Sequence, residues 1–231
     1  MLTKARALTA LAAAVPLAAS ALLGAPAVQA NTQATVSVLH AIPAGLGADV
    51  VDVYGGNSLL IDNFKPGSLQ TLTVPGGTYD LAVFADGVTP ATGAAVLEKK
   101  NVAVPAGANA TVTANLDAAG KPALNVFVNN TAKLKKGQGR LVVRHIAAAP
   151  AVDVRVNENV LFKNVKNPQQ RQAKAPVGTY NADVVLAGTK TVAIGPAKVT
   201  LKRNTTTIVY AWGSAADGTL QLAVQEVKTR R

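Results

Sequence analysis

Cysteine is absent from the 231 residues, and methionine and tryptophan each occur once. Without cysteine the chain forms no disulfide and offers no thiol nucleophile, so its stability must come from packing and from sheet hydrogen bonds. Aromatic residues make up only 4% of the sequence, which disfavours a carbohydrate-binding surface built from several exposed rings. A Gly-x-Ser-x-Gly motif is also missing, so the sequence shows no hydrolase nucleophile of that type.

Long apolar runs are scarce too, and the one at the start of the chain has the features of an export signal. Two basic residues precede an apolar stretch over residues 7–23, and small side chains follow it. We predict that residues 1–30 are a signal peptide that is cleaved between Ala30 and Asn31. Because no second segment is long enough to span a bilayer, the mature protein is expected to be secreted and extracellular, or associated with the cell wall.

The rest of the chain is organised as a repeat. A Val-Asp-Val motif that begins at Val51 recurs at Val152, and a Pro-x-Gly-Thr-Tyr motif that begins at Pro75 recurs at Pro176. The offset between copies is the same for both motifs, so the segment between the two motifs has equal length in the two copies. Two copies of this length indicate two domains of about 100 residues each.

Short apolar stretches with period-two alternation, punctuated by Gly and Pro, predict β-strands throughout both copies. Helical periodicity of useful length is missing after the signal. The predicted fold is all-β, with two tandem immunoglobulin-like β-sandwiches of seven or eight strands each. We place domain 1 at residues 31–130, a short, basic, semi-extended linker at 131–139, and domain 2 at 140–231.

The net charge of +11 is distributed unevenly between the two copies. Residues 31–130 carry four Lys against six Asp and one Glu, a net charge of −3, whereas residues 131–231 carry seventeen Lys and Arg against five acids, a net charge of +12. Basic side chains that alternate with apolar ones predict a cationic, solvent-facing surface on domain 2. The candidate anion-binding residues are Arg144, Arg155, Lys163, Lys166, Arg171, Lys174, Lys198, Lys202 and Arg203. The alternative is a solvated face that only keeps the protein soluble.

Both histidines of the chain, His40 and His145, occupy equivalent positions ahead of Asp52 and Asp153. Such pairs could form a metal half-site, a catalytic pair, or a structural tie between a loop and the sheet. One His and one Asp per domain fall short of the three or four ligands of a metal site. We therefore favour structural pairs, with each His bonded to its Asp or to nearby backbone, and we expect no metal, cofactor or catalytic residue.

The sequence around these histidines resembles a known family. His40 is followed by Asp-Val-Tyr at Asp52, and His145 by Asp-Val at Asp153, and each copy then reaches Pro-x-Gly-Thr-Tyr. This pattern resembles the bacterial domain of unknown function 4397, in two copies. The resemblance implies secreted, immunoglobulin-like β domains that often occur in tandem, and it carries over no activity or catalytic residue.

The charge contrast predicts a non-catalytic binding or structural protein of the cell envelope, whose basic domain contacts anionic wall polymer or an envelope protein. Two alternatives remain, a secreted hydrolase of wall material and a carbohydrate-binding module that uses Trp212 or Tyr54. The opposite charges could also join copies head to tail. Nucleic acid is not an expected partner, because the basic residues are not interleaved with aromatic ones.

Overall fold

The computed structural model describes residues 32–230, where regular structure consists of β-strands alone. The first half contains β1 (Gln33–Ala41), β2 (Val51–Gly55), β3 (Ser58–Phe64), β4 (Leu69–Pro75), β5 (Gly77–Ala85), β6 (Leu97–Val104), β7 (Asn109–Leu116) and β8 (Pro122–Val128). The second half contains β9 (Gln138–His145), β10 (Val152–Val156), β11 (Asn159–Val165), β12 (Gln170–Pro176), β13 (Gly178–Leu186), β14 (Val192–Leu201), β15 (Thr205–Trp212) and β16 (Gln221–Lys228). Within this range no helix is long and apolar enough to cross a membrane. The predicted signal peptide and its cleavage site at Ala30–Asn31 lie outside the described residues.

Each half pairs its strands into two four-stranded sheets of the same topology. The sheets of the first half have the orders β4-β1-β7-β8 and β3-β2-β5-β6, and those of the second half β12-β9-β15-β16 and β11-β10-β13-β14. The pairs β1–β7 and β9–β15 are parallel, and the other strand pairs are antiparallel. The predictions of an all-β chain and of two similar sandwich-like halves are confirmed.

Period-two alternation explains the core of each half, because alternate side chains of a strand point to the same face. In the first half, Val36 and Val38 of β1 pack with Val53 of β2 in one buried cluster. In the second half, Val143 of β9 packs with Val154 of β10 in an equivalent cluster. Each half therefore has its own aliphatic core between its two sheets.

A third buried cluster joins the two halves. Leu39 of β1 and Phe127 of β8 pack with Ile208, Tyr210 and Trp212 of β15. The sheet that contains β1 thus lies against the sheet that contains β9 and β15, and we call these two the inner sheets. The two halves form four stacked sheet layers within one compact unit that contains the described residues.

The two inner sheets pack against each other through equivalent faces of the two repeats. At equivalent positions of these faces, one repeat has large side chains and the other has small ones. In the parallel strand pairs, Ala114 of β7 lies opposite His40, and Ala211 of β15 lies opposite His145. Because the two histidines are equivalent in the repeat, Ala114 and Ala211 are equivalent too. The large side chains Ile208, Tyr210 and Trp212 of β15 correspond to Thr111, Thr113 and Asn115 of β7, and all six are buried. Small polar side chains in one copy therefore leave room for large ones in the other.

The segment that was predicted to be a linker is anchored to the fold. Leu134 is buried, and β9 already begins at Gln138. Nη1 of Arg140 and Oγ1 of Thr206 each donate a hydrogen bond of 2.8 Å to the carbonyl of Asn130. The connecting segment is therefore part of the folded unit and does not act as a free tether.

Candidate functional site

Both repeated histidines are buried, and each fastens the loop that follows β1 or β9. Nε2 of His40 lies 2.7 Å from the carbonyl oxygen of Ala48, and Nε2 of His145 lies 3.0 Å from that of Pro150. Because a carbonyl oxygen only accepts, each Nε2 must carry the proton. Burial lowers the pKa of both imidazoles below the ordinary value, and this effect outweighs the carbonyl bonds, which raise it. The geometry is that of neutral structural donors.

The repeated Asp side chains bond to backbone amides instead of to the histidines. The carboxylate of Asp52 accepts hydrogen bonds from the amides of Asn63 (3.0 Å) and Gly87 (3.3 Å). Asp153 repeats this arrangement, and the two amide bonds hold its pKa below the ordinary value. Of the two partners predicted for each His, the structure shows nearby backbone, and no direct bond between His and Asp is found among residues 32–230. The same range contains no group of three or more His, Cys, Asp or Glu placed to hold a metal ion.

Arg144, predicted to bind anions at the surface, is instead buried between the inner sheets and is only 1% exposed. Its guanidinium donates to the Tyr210 hydroxyl (2.7 Å), to Oδ1 of Asn129 (2.7 Å) and to Oε1 of Gln170 (3.0 Å). It also lies 4.4 Å from the centroid of the Phe127 ring. Asn129 and Phe127 belong to the first half, so Arg144 joins the two halves. The prediction for this residue is wrong, because the other half covers the face to which its side chain points.

A hydrogen-bonded network extends from Arg144 across the interface. The Tyr210 hydroxyl donates to Oε1 of Gln225 (2.5 Å), and Nε2 of Gln225 donates to the Ser37 hydroxyl (2.9 Å) in the first half. The Thr111 hydroxyl also donates to Gln225 (3.0 Å). Burial lowers the pKa of Arg144 and raises the pKa of Tyr210. These contacts satisfy a buried charge that would otherwise be costly to bury.

Two further candidate cations are engaged by carboxylates. Arg155 donates from Nε and Nη2 to the two carboxylate oxygens of Asp183 at 2.8 and 2.5 Å, and Lys202 pairs with Glu226 at 2.7 Å. The remaining candidates are exposed and form no ion pair with a described carboxylate; they are Lys163, Lys166, Arg171, Lys174, Lys198 and Arg203. The structure therefore leaves six of the nine predicted residues free to meet an anion.

One end of the second half brings together cations that are far apart in sequence, and no sequence pattern indicated their proximity. The amide of Arg230 donates to the carbonyl of Thr131 (2.8 Å), and the amide of Thr229 donates to the carbonyl of Asn204 (3.0 Å). The connecting segment, the β14–β15 turn and the end of β16 are therefore neighbours. We call this surface the basic end, and its exposed cations are Lys133, Lys135, Lys136, Lys202, Arg203, Lys228 and Arg230.

Both aromatic rings proposed as sugar platforms are buried, Trp212 at 3% exposure and Tyr54 at 7%. Trp212 packs in the interface between the inner sheets, and the Tyr54 ring lies edge-on to Phe84 with centroids 5.3 Å apart. Neither ring can stack on a sugar in this fold, so the carbohydrate-binding alternative loses both of its candidate residues.

A surface depression of about 670 Å³ lies on the sheet β11-β10-β13-β14. It contains the carboxylates of Glu158 and Asp183 together with Arg155 and Lys198. Asp183 accepts both bonds from Arg155, so each of its oxygens already has a partner. Inverting and retaining glycosidases both use two carboxyl groups, and one of the two in this depression is held in the ion pair with Arg155.

Comparison with solved structures gives several distant likenesses, among them the following two. The TIE protein of Bacillus anthracis is 12% identical with a TM-score of 0.23, over 78% of this chain and 33% of that one. This chain therefore spans about a third of the length of the TIE protein. A CBM26 module of Amy13K from Eubacterium rectale, solved with maltoheptaose, is 10% identical with a TM-score of 0.23, over 86% of this chain and 98% of that one. Such TM-scores carry no argument about fold or function.

Comparison with curated proteins found no match. The family model described as "Domain of unknown function (DUF4397)" matches residues 34–155, from β1 to β10. The match covers the whole first half and the first strands of the second, but not a separate second copy. It spans more than half of the sequence, and the chain therefore belongs to the DUF4397 family.

Proposed function

We propose that this protein is an exported, non-catalytic binding protein of the cell envelope, whose second half holds an anionic wall polymer. Within the proposal, residues 1–30 direct export, each half is an immunoglobulin-like sandwich, and the second half is a diverged second copy of the family domain. The equal topology of the two halves supports a common origin. Divergence would then have kept the cores while changing the surface charge.

The observation that carries the proposal is the exposure of unpaired cations on the second half. Residues 131–231 carry a net charge of +12, and only Arg155 and Lys202 form ion pairs with carboxylates among the described residues. Two other arginines, Arg140 and Arg144, are buried. The other described cations of this half are exposed. Such a surface attracts a polyanion through ion pairing and counterion release.

Binding of the mature chain to purified cell wall at two salt concentrations tests the proposal. The whole chain is the right sample, because the halves share a buried interface and an isolated half would expose it. We expect retention at about 0.1 M salt and release at about 1 M, where the Debye length falls from about 10 Å to about 3 Å. Failure to bind at the lower salt, or equal retention at both, would refute the proposal.

Head-to-tail self-association of the acidic and basic halves makes a different prediction. It would increase the size of the protein in solution at low salt with no wall present. Sedimentation velocity of the free chain separates the two cases. We expect a monomer that binds wall, whereas salt-sensitive oligomers that do not bind wall would favour self-association.

A further inference from the structure

The connecting segment at the basic end is held in place by hydrogen bonds to its own backbone carbonyls. Nη2 of Arg140 donates to the carbonyl of Ala132 (3.2 Å), and its Nη1 donates to the carbonyl of Asn130 (2.8 Å). The amide of Gln138 donates to the carbonyl of Lys135 (3.1 Å) and closes a turn there. Because these bonds fix the backbone, the lysines of the connecting segment project from an ordered support.

The β14–β15 turn lies directly against this support. A Cβ at Gly139 would be 2.9 Å from Cβ of Leu201 and 3.1 Å from the carbonyl oxygen of Lys202. The side chain of Lys228 reaches the Thr205 hydroxyl at 3.4 Å. Cations from residues 133–136, 202–203 and 228–230 are therefore displayed side by side at one end of the second half.

Negative charge is sparse at this end. Glu226, which pairs with Lys202, is the one carboxylate bonded to a cation of the basic end among the described residues. All seven cations of the basic end are exposed, and six of them form no ion pair with a described carboxylate. The charge at this end is thus left for a ligand from outside the chain.

We infer that the basic end is the docking surface for a linear phosphodiester polymer. This inference rests on the proposed function and specifies where on the second half the polymer binds. Lysine ammonium groups bind phosphate as point charges, and the arginines Arg203 and Arg230 can each contact two phosphate oxygens. The cations lie on an exposed surface contributed by three segments, which suits a flexible strand of repeated phosphates better than a single enclosed anion.

Charge reversal at the basic end tests this location against a matched control. The test variant is Lys135→Glu/Lys136→Glu, and the control is Lys166→Glu/Lys190→Glu. Lys166 and Lys190 are also exposed and unpaired, but they follow β11 and β13 at the opposite end of the half. Both variants change the net charge equally. Unfolding midpoints equal to that of the unchanged chain verify that each variant is folded.

Affinity for purified poly(glycerol phosphate) is measured with the mature chain over a range of salt. We expect the test variant to bind at least about tenfold more weakly at about 0.1 M salt, with the control within about threefold of the unchanged chain. The slope of log affinity against log salt should also flatten by about 0.7 for each phosphate that the variant no longer binds. A smaller fraction of folded protein would weaken apparent binding without changing that slope, so the slope separates the two causes.

The outcomes of this test show whether only the proposed binding location is wrong or the proposed function is wrong as well. If both variants lose affinity equally, the second half binds polyanion through its overall charge and the basic end is not the site. If the unchanged chain is retained on purified wall but does not bind poly(glycerol phosphate) at low salt, the phosphodiester inference fails and the proposed function stands; if it binds neither, both fail. Equal binding of poly-L-glutamate of matched length would overturn the assignment to a phosphate polymer.

Discussion

Replacing Arg144 by Ala is expected to destabilise the whole protein, because this side chain joins the two halves. The change removes three hydrogen bonds from a charged donor, to Tyr210, Asn129 and Gln170, and the contact with the Phe127 ring. Hydrogen bonds to charged groups contribute about 1.5–3 kcal/mol each, and part of that loss is offset because the variant no longer has to bury a charged guanidinium on folding. The expected decrease in the free energy of unfolding is about 3–5 kcal/mol.

Urea unfolding of the mature chain measures this change. Trp212 is the only tryptophan and lies in the interface, so its fluorescence reports separation of the halves, while circular dichroism reports all the sheets. The two signals should change together in the unchanged chain. The matched control is Arg203→Ala, an exposed arginine for which we expect a change within about 0.5 kcal/mol.

A double-mutant cycle ties the effect to the interface. Arg144 lies in the second half and Phe127 in the first, so a coupling between Arg144→Ala and Phe127→Leu arises only if the halves pack together. The stacked geometry predicts a coupling of about 0.5–2 kcal/mol. An Arg144→Ala effect no larger than that of Arg203→Ala, or a coupling of zero, would refute the packing of the inner sheets.

Two further predictions concern the loops. Because the folded-state pKa of His40 and of His145 is lowered from 6.5, the unfolded chain binds more protons just below pH 6.5. Stability is therefore complete above that pH and declines as pH falls, by up to about 1.4 kcal/mol per pH unit for each His. Urea midpoints of a His40→Gln/His145→Gln variant should lose this dependence, and an unchanged slope would contradict the assignment. At Gly213, where φ is +97° and a Cβ would clash with the carbonyl oxygen of Thr219, Gly213→Ala should cost about 3 kcal/mol or more. Gly218→Ala, at φ +65° with open space around it, should cost only about 1 kcal/mol by thermal unfolding, and equal costs would contradict the predicted clash.

The strands and the two halves could be predicted from the sequence because the signals for them are local. Val36 and Val38 alternate with polar residues in β1, and the same alternation recurs at Val152 and Val154 in β10. Gly and Pro mark the turns between such stretches. These patterns depend only on which face of a strand meets its own core, and that core lies within the same repeat.

The covering of the inner sheets could not be predicted in the same way. Thr111 and Thr113 alternate with apolar residues, as polar residues do on the solvent-facing side of a strand. Arg144 follows the inward-facing Val143, so its charge also suggested an exposed position. Burial of this face depends on the other half, which is distant in sequence. One signal was present, since Ile208 and Tyr210 make β15 apolar on both faces, and a strand of that kind is buried on both sides.

Retention of the mature chain on purified wall, before and after chemical removal of its anionic polymer, tests the proposed function most directly. The comparison keeps the glycan and peptide of the wall and changes only its phosphate-bearing polymer. The exposed cations of the second half predict strong retention on intact wall at about 0.1 M salt and loss of most of it on stripped wall. Equal retention on both would contradict the account, because the wall would then be recognised through something other than its negative charge.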